Sequence, residues 1–234
     1  MTSVAIEAWP WMEQWSARFL ELASGLDGTD LTAPSGLPDW SRKQVVAHVA
    51  ANARAIGNLV HWARTGEPTP MYGSPEARAE TISSRVKLTR IELLTELRAA
   101  DEDLARDMKA LNPHEWAAEI RTAQGRTVFA TEIVWMRARE VCIHAVDLAA
   151  SVGFADLPHE FLARLCGEVA AKLAGGPAVE LTAADLGRSW RVEGRGAPAQ
   201  VKAPVADLAA YLTGRAHNLQ ASDGQPAPVL PPWL

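Results

Sequence analysis

The chain has little cysteine. Cys142 and Cys166 are the only two in 234 residues, too few for a disulfide framework, and a reducing cytoplasm is the simplest home. No run of eighteen or more apolar residues occurs, which excludes a transmembrane helix. The stretch from Met1 to Trp9 has no positive residue and carries Glu7, unlike a secretory leader. Positive charge is not in excess: 23 Lys and Arg stand against 28 Asp and Glu, for a net charge of -5. That argues against non-specific affinity for nucleic acid or an anionic membrane. Phenylalanine and tyrosine are scarce, four and two, beside nine tryptophans. An indole carries an N–H that wants a partner, so some of the nine are expected to line a cavity or a domain seam. Internal repeats and low-complexity tracts are also missing.

What is present divides into two parts. Trp11, Trp15, Phe19 and Leu22 recur at helical spacing and predict a first helix from Trp11 to Leu26, ended by Gly25 and Gly28. Residues 29–38 are expected to be a loop. Ser41 is a good N-cap for a second helix running past His48 and Asn52 to about Ala63, stopped by Thr65 to Pro70. Ser74-Pro75 opens a third. It continues as a separate piece from Thr89 to Ala110 on a stripe of Ile91, Leu94, Leu97 and Leu104, and Asn112-Pro113 breaks it. A polar turn at 122–127 precedes a last helix from about Val128 to Ser151. Beyond Gly153 the pattern changes. A helix from Pro158 to Leu173 is followed by alternating runs at 178–182, 189–193 and 199–203, which read as strands. A short helix from Ala206 to Thr213 closes at Gly214, and a Pro-rich extended tail begins at Gln225. The expected fold is α+β in two domains: an antiparallel helical bundle over 1–152 and a smaller α/β domain over 153–234.

Glu140 and His144, in the last helix of the bundle, are four residues apart and project from one face. Val141 and Leu148 place them at the edge of an apolar stripe. Such a pair either grips a divalent metal or is an ordinary surface ion pair. Two ligands are too few for a tight site. The best third is His48 on the second helix, whose ordinary role is that of a hydrogen-bonded core histidine. Facing helices of a bundle build metal sites in this way. Asp147 either orients the His144 ring or is an ordinary helix carboxylate, and the second is expected. His61 is too far along its helix to share a metal with His48. Cys142 points about 160° away from His144 on a helical wheel and reads as a core thiol.

Several blocks carry a likeness: His48 to Ala50, Asn58 to Glu67, Thr69 to Tyr72, Ser74 to Arg78, Thr122 to Val128 and Trp135 to Leu148, with weaker matches at Tyr211 to Arg215 and Pro232 to Leu234. Through them the chain resembles the mycothiol-dependent maleylpyruvate isomerase family, within the DinB-like superfamily of metal-dependent thiol enzymes. The resemblance implies a DinB-like four-helix bundle with a small C-terminal α/β domain. It implies that His48, Glu140 and His144 hold zinc, and that the thiol cosubstrate is mycothiol. The thiolate then adds to the cis double bond of maleylpyruvate, the resulting single bond rotates, and expulsion of the thiolate leaves fumarylpyruvate. By family position, Arg78 and Arg215 are expected to pair with the substrate carboxylates, Arg215 reaching the site from the second domain. Arg126, in the turn before the metal helix, and Tyr72, as a wall of the thiol pocket, are candidates on the cofactor side. The partners expected are a small diacid and a low-molecular-weight thiol, with no nucleic acid or membrane, and the layout allows a monomer. Two rivals use the same bundle: a mycothiol S-transferase acting on another electrophile, and a non-catalytic metal-binding regulator.

Overall fold

A computed structural model describes residues 3–233, with side chains from Glu7 onward. Met1 and Thr2 of the amino-terminal stretch, and Leu234 of the closing block, lie outside the described residues. The chain forms two compact units, Met1–Ser151 and Val152–Leu234.

The first unit is helical. Helix α1 (Ser3–Gly25) starts well before the expected Trp11 and holds Pro10 inside it. Its inner face is Met12, Trp15, Phe19, Leu22 and Ala23. The expected loop after it contains a short helix, α2 (Gly28–Thr32), closed by reciprocal Asp27–Asp30 capping. Helix α3 (Arg42–Thr65) starts as predicted at Ser41, whose hydroxyl accepts from the Gln44 N–H while the Gln44 side chain accepts from the Ser41 N–H. It ends at Gly66, in the left-handed conformation with φ 74°. Helix α4 (Pro75–Val86) is capped by Ser74, and α5 (Arg90–Lys109) by Thr89 with Glu92. The buried stripe of α5 is Leu93, Leu97, Ala100, Leu104 and Met108. Ile91, expected inside, is 74% exposed, because a side chain two residues before Leu93 lies on the opposite side of the helix.

A single turn, α6 (Pro113–Trp116), leads to a hairpin of β1 (Glu119–Arg121) and β2 (Thr127–Phe129). Val128 and Phe129 are therefore strand, and the helix expected from Val128 begins at Glu132 as α7 (Glu132–Asp147). Three-residue strands are too short to show alternation in a sequence. Helix α1 packs on α7 and α5, and α3 packs on α5, α7 and α4. The core is thus a four-helix bundle of α1, α3, α5 and α7 with α4 laid on α3.

In the second unit a 3-10 turn (Phe154–Asp156) precedes α8 (His159–Lys172). The sheet has the order β4-β3-β5, with β3 (Pro177–Ala183) central, β4 (Arg188–Val192) antiparallel to it and β5 (Arg195–Ala203) parallel. Between β4 and β5 the chain crosses the start of β3 at Gly194. A Cβ there would lie 2.5 Å from the Pro177 carbonyl carbon, so glycine is required. Helix α9 (Val205–Leu212) follows, and α8 packs against α9 and β4. No helix among the described residues is long and apolar enough to cross a membrane.

Candidate metal centre

The α3–α7 seam brings together the three residues singled out by spacing. His48 Nε2 lies 3.0 Å from Glu140 Oε2, and His144 Nε2 lies 3.4 Å from the same oxygen. One ligand atom from each of His48, Glu140 and His144 lies within 4.8 Å of the others. The two imidazoles meet edge to face, 4.8 Å between centroids at 85°. Helix geometry explains the convergence: Glu140 and His144 are one turn apart on α7, and α3 presents His48 opposite them.

Around the trio the second contacts differ for each ring. His144 Nδ1 faces Asp147 Oδ2 at 2.8 Å. Asp147 is 1% exposed and faces the His144 ring, so it is not the ordinary helix carboxylate expected. It fixes the ring so that Nε2 points to the cluster. The Asp147 carbonyl accepts from the Gly36 N–H at 2.7 Å. His48 Nε2 serves the cluster, and its Nδ1 is buried without a hydrogen-bond partner. The Trp40 ring stands edge-on to His48 at 5.8 Å. Helical spacing cannot reveal that contact, because Trp40 lies just before the Ser41 cap of α3, outside the helix.

The charges of the group follow from these contacts. Burial works to raise the Glu140 carboxyl, but hydrogen bonds from His144 and His48 outweigh it and hold the acid well below its usual value. Burial pulls the His48 imidazole down, against the hydrogen bond to Glu140. Burial also opposes a charge on His144, yet Asp147 and then Glu140 raise it to about 9. Without a metal, the protonated His144 ring therefore bridges two carboxylates, with Nδ1 toward Asp147 and Nε2 toward Glu140. Two imidazole nitrogens and a carboxylate oxygen, converging and with one ring oriented by a buried acid, suit a divalent ion that takes that proton's place. Three protein ligands leave positions open for a further ligand.

One turn along the seam lies a second polar layer. Arg137 is 1% exposed. Its guanidinium donates to the Val49 carbonyl and to Asn52 Oδ1, both at 3.0 Å, and to Asp101 on α5, also at 3.0 Å. The sequence signal for this layer is an arginine inside a largely apolar helix.

The remaining candidates fall in different places. Tyr72 sits in the segment between α3 and α4, where Asn58 Nδ2 donates to the Pro70 and Met71 carbonyls at 3.2 and 3.5 Å. The Tyr72 hydroxyl is buried and has no hydrogen-bond partner. Arg78, exposed on α4, acts electrostatically on both Tyr72 and His48. Arg126 is exposed on the β1–β2 turn. Arg215, half-buried in the second unit, follows Gly214 (φ 73°) and donates to the Thr213 carbonyl at 2.6 Å. His61 is exposed. Cys142 is fully buried, and burial pushes its thiol well above the usual range, as a core thiol requires.

Comparison with known proteins bears on this cluster. Residues 12–149 match the profile of the mycothiol maleylpyruvate isomerase N-terminal domain. A solved structure of the mycothiol-dependent maleylpyruvate isomerase is 34% identical, covers 100% of both chains and superposes with a TM-score of 0.94. A histidine-to-alanine mutant of that isomerase is similar at 33% identity, again over 100% of both chains, with a TM-score of 0.93. YfiT from Bacillus subtilis, described as a probable metal-dependent hydrolase with an unusual four-helix bundle topology, is 14% identical. It covers 64% of this chain and 88% of its own with a TM-score of 0.50, a likeness of fold alone. No curated protein matches the chain.

Proposed function

The chain belongs to the mycothiol-dependent maleylpyruvate isomerase family, and on that premise we propose that it converts maleylpyruvate to fumarylpyruvate with mycothiol as a regenerated cosubstrate. The observation that carries this reading is the convergence of His48, Glu140 and His144 in the α3–α7 seam. Zinc held by these three supplies the positive charge that keeps an incoming thiol ionised at neutral pH. Glu140 contributes negative charge and His48 and His144 neutral nitrogen donors, so the site retains net positive charge. Asp147 holds the His144 ring in the tautomer that frees Nε2.

The thiolate adds to one alkene carbon, forming a C–S bond. The alkene electron pair moves onto the conjugated ketone oxygen as an enolate. The former double bond is now single and rotates. The enolate pair then returns, the C–S bond breaks, and the trans alkene and the thiolate are released with no net redox change. The substrate is a dianion, and arginine pairs with carboxylate through two parallel hydrogen bonds. Arg78 takes that role, supported by its proximity to His48 and Tyr72. Arg215 takes the same role on family position alone, Arg126 is assigned to the cofactor side, and the Tyr72 ring, also on that side, walls the thiol pocket. The small-molecule partners are thus a diacid and a thiol. A reducing cytoplasm suits two buried, free cysteines.

Elemental analysis and a steady-state assay test this. The parent should carry about one zinc per chain and turn over maleylpyruvate with catalytic mycothiol. His48→Ala and His144→Ala should lose most of the zinc and, by the scale of metal-assisted chemistry, roughly a thousandfold in rate. Retention of zinc by both variants removes the ligand assignment. Consumption of thiol by an added electrophile, with no fumarylpyruvate formed, replaces isomerisation by S-transfer.

A further inference from the structure

The two tyrosines of the chain are treated differently by the fold. Tyr211, in the second unit, donates its hydroxyl proton to the Pro228 carbonyl at 2.6 Å. Tyr72 has its hydroxyl buried and donates to nothing. A buried hydroxyl whose proton has no acceptor is destabilising, so such a group calls for a reason. It is not a loose side chain: Asn58 ties the backbone on its amino-terminal side to α3, Met71 beside it is buried, and Ser74 caps α4 two residues on. The hydroxyl oxygen lies beside the Arg78 guanidinium, which can only donate to it, and within electrostatic reach of the metal-cluster carboxylate Glu140, so the phenol proton itself has no acceptor. Burial also pushes the phenol above its usual value, so the proton stays on oxygen at neutral pH.

We propose that Tyr72 is a catalytic residue whose hydroxyl proton, without an acceptor in the free protein, is donated in a hydrogen bond to the ketone oxygen of maleylpyruvate as that oxygen gains charge. The inference rests on the isomerase reading given above. Thiolate addition forms the C–S bond and sends the alkene electron pair to the ketone oxygen, beside which the O–H waits. No proton leaves Tyr72: the hydrogen bond strengthens on addition and relaxes when the pair returns and the C–S bond breaks. Arg78 next to it supplies charge for a carboxylate of the same substrate. A donor already in place and already desolvated acts more strongly on the charged intermediate than on the neutral ketone, which is the condition for raising kcat.

The test uses zinc-loaded protein. Tyr72→Phe should keep its zinc and its melting temperature within a few degrees, leave KM for maleylpyruvate within about threefold, and lower kcat about a hundredfold, the usual effect of removing one such donor. A kcat within threefold of the parent overturns the proposal, and so does a lowered kcat accompanied by loss of zinc. An independent readout comes from 3-fluorotyrosine labelling, since two tyrosines give two fluorine resonances, assigned with Tyr72→Phe and Tyr211→Phe. Saturating maleylpyruvate, added without thiol so that nothing turns over, should shift the Tyr72 resonance and leave that of Tyr211 in place. An unmoved Tyr72 resonance also overturns the proposal. A parent that fails to isomerise maleylpyruvate refutes the family reading and this inference together; an active parent with an equally active Tyr72→Phe refutes the inference alone.

Discussion

One turn apart, the seam between α3 and α7 holds two polar layers of different kinds. In the first, His48, Glu140 and His144 turn their atoms toward a common point. In the second, Arg137 turns its atoms outward to the Val49 carbonyl and Asn52 on α3 and to Asp101 on α5. One helical turn separates the layers on both helices, with His48 and Asn52 four apart on α3 and Arg137 three before Glu140 on α7. The Arg137 layer brings its own cation and uses it to join α3, α5 and α7. The histidine layer sets Glu140 and Asp147 against the His144 ring, and a proton on that ring or a metal answers their charge. A polar layer that closes on itself contributes to the fold, whereas one that stays open is available for chemistry.

Arg137→Met should separate the two layers most clearly. It removes a buried cation and leaves Asp101, Asn52 and a backbone carbonyl without their donor. Breaking one side of a buried pair costs about 3–5 kcal/mol, and Asp101, at 25% exposure, recovers part of that from water. A loss of about 2–4 kcal/mol is expected by urea denaturation. Zinc affinity, measured against a competing chelator, should move less than threefold in the folded fraction. A large fall in zinc affinity would show that the Arg137 layer sets the ligand geometry, and the division drawn above would fail.

Asp147→Asn should do the reverse. The neutral amide still bonds the ring but no longer polarises it, and losses of this kind are typically 10–100-fold in metal affinity. Stability of the zinc-loaded protein should change little. The metal-free protein adds a pH signature. His144 is raised from 6.5 to about 9 in the folded state, against the effect of burial, by Asp147 and then Glu140. Its contribution to stability is therefore full below pH 6.5 and is lost as the pH rises through about 9. Unfolding of the zinc-free parent followed from pH 6 to 10 should show that decline, and Asp147→Asn should flatten it. An equal slope in both proteins would mean that Asp147 is not what holds the proton.

The bundle and the trio were legible in the sequence because helical spacing and capping are local. Ser41, Ser74 and Thr89 each announce a helix start by the chemistry of their own side chains, and Glu140 with His144 needs only one turn of helix to be seen. The choice of His48 as partner needed the bundle. Where the sequence reading failed, the cause was a contact distant along the chain or an element too short to have a period. The hairpin 119–129 is held by pairing across a turn, not by a pattern within either strand. Asp147 looked ordinary because Gly36, which packs against it, is more than a hundred residues away, and Ile91 looked buried because hydrophobicity alone does not say which side of α5 faces α3. Arg137 is the clearest case: its meaning depends on Asn52 and Asp101 together.

The smallest expected effect tests how the open layer is braced. The segment 33–41 touches both histidines, one directly and one through an acid. The Trp40 ring stands against His48, and the Gly36 N–H donates to the carbonyl of Asp147, which holds His144. The segment is closed on itself by the Ser35 N–H to the Trp40 carbonyl at 2.8 Å and the Arg42 N–H to the Ala33 carbonyl at 3.0 Å, so a push at one end reaches the other. A Cβ on Gly36 would sit 3.3 Å from Asp147 Cα and 3.6 Å from Asp147 Oδ1, close enough to require a shift of a few tenths of an ångström. Gly36→Ala should then lower stability by about 1 kcal/mol, as mild overpacking does. It should also weaken zinc binding two- to threefold, less than Asp147→Asn, because the carboxylate is displaced and not removed. Lower stability with unchanged zinc affinity would make the segment a cover and not a brace. The metal layer would then hold its geometry from α3 and α7 alone, as the Arg137 layer does with α5.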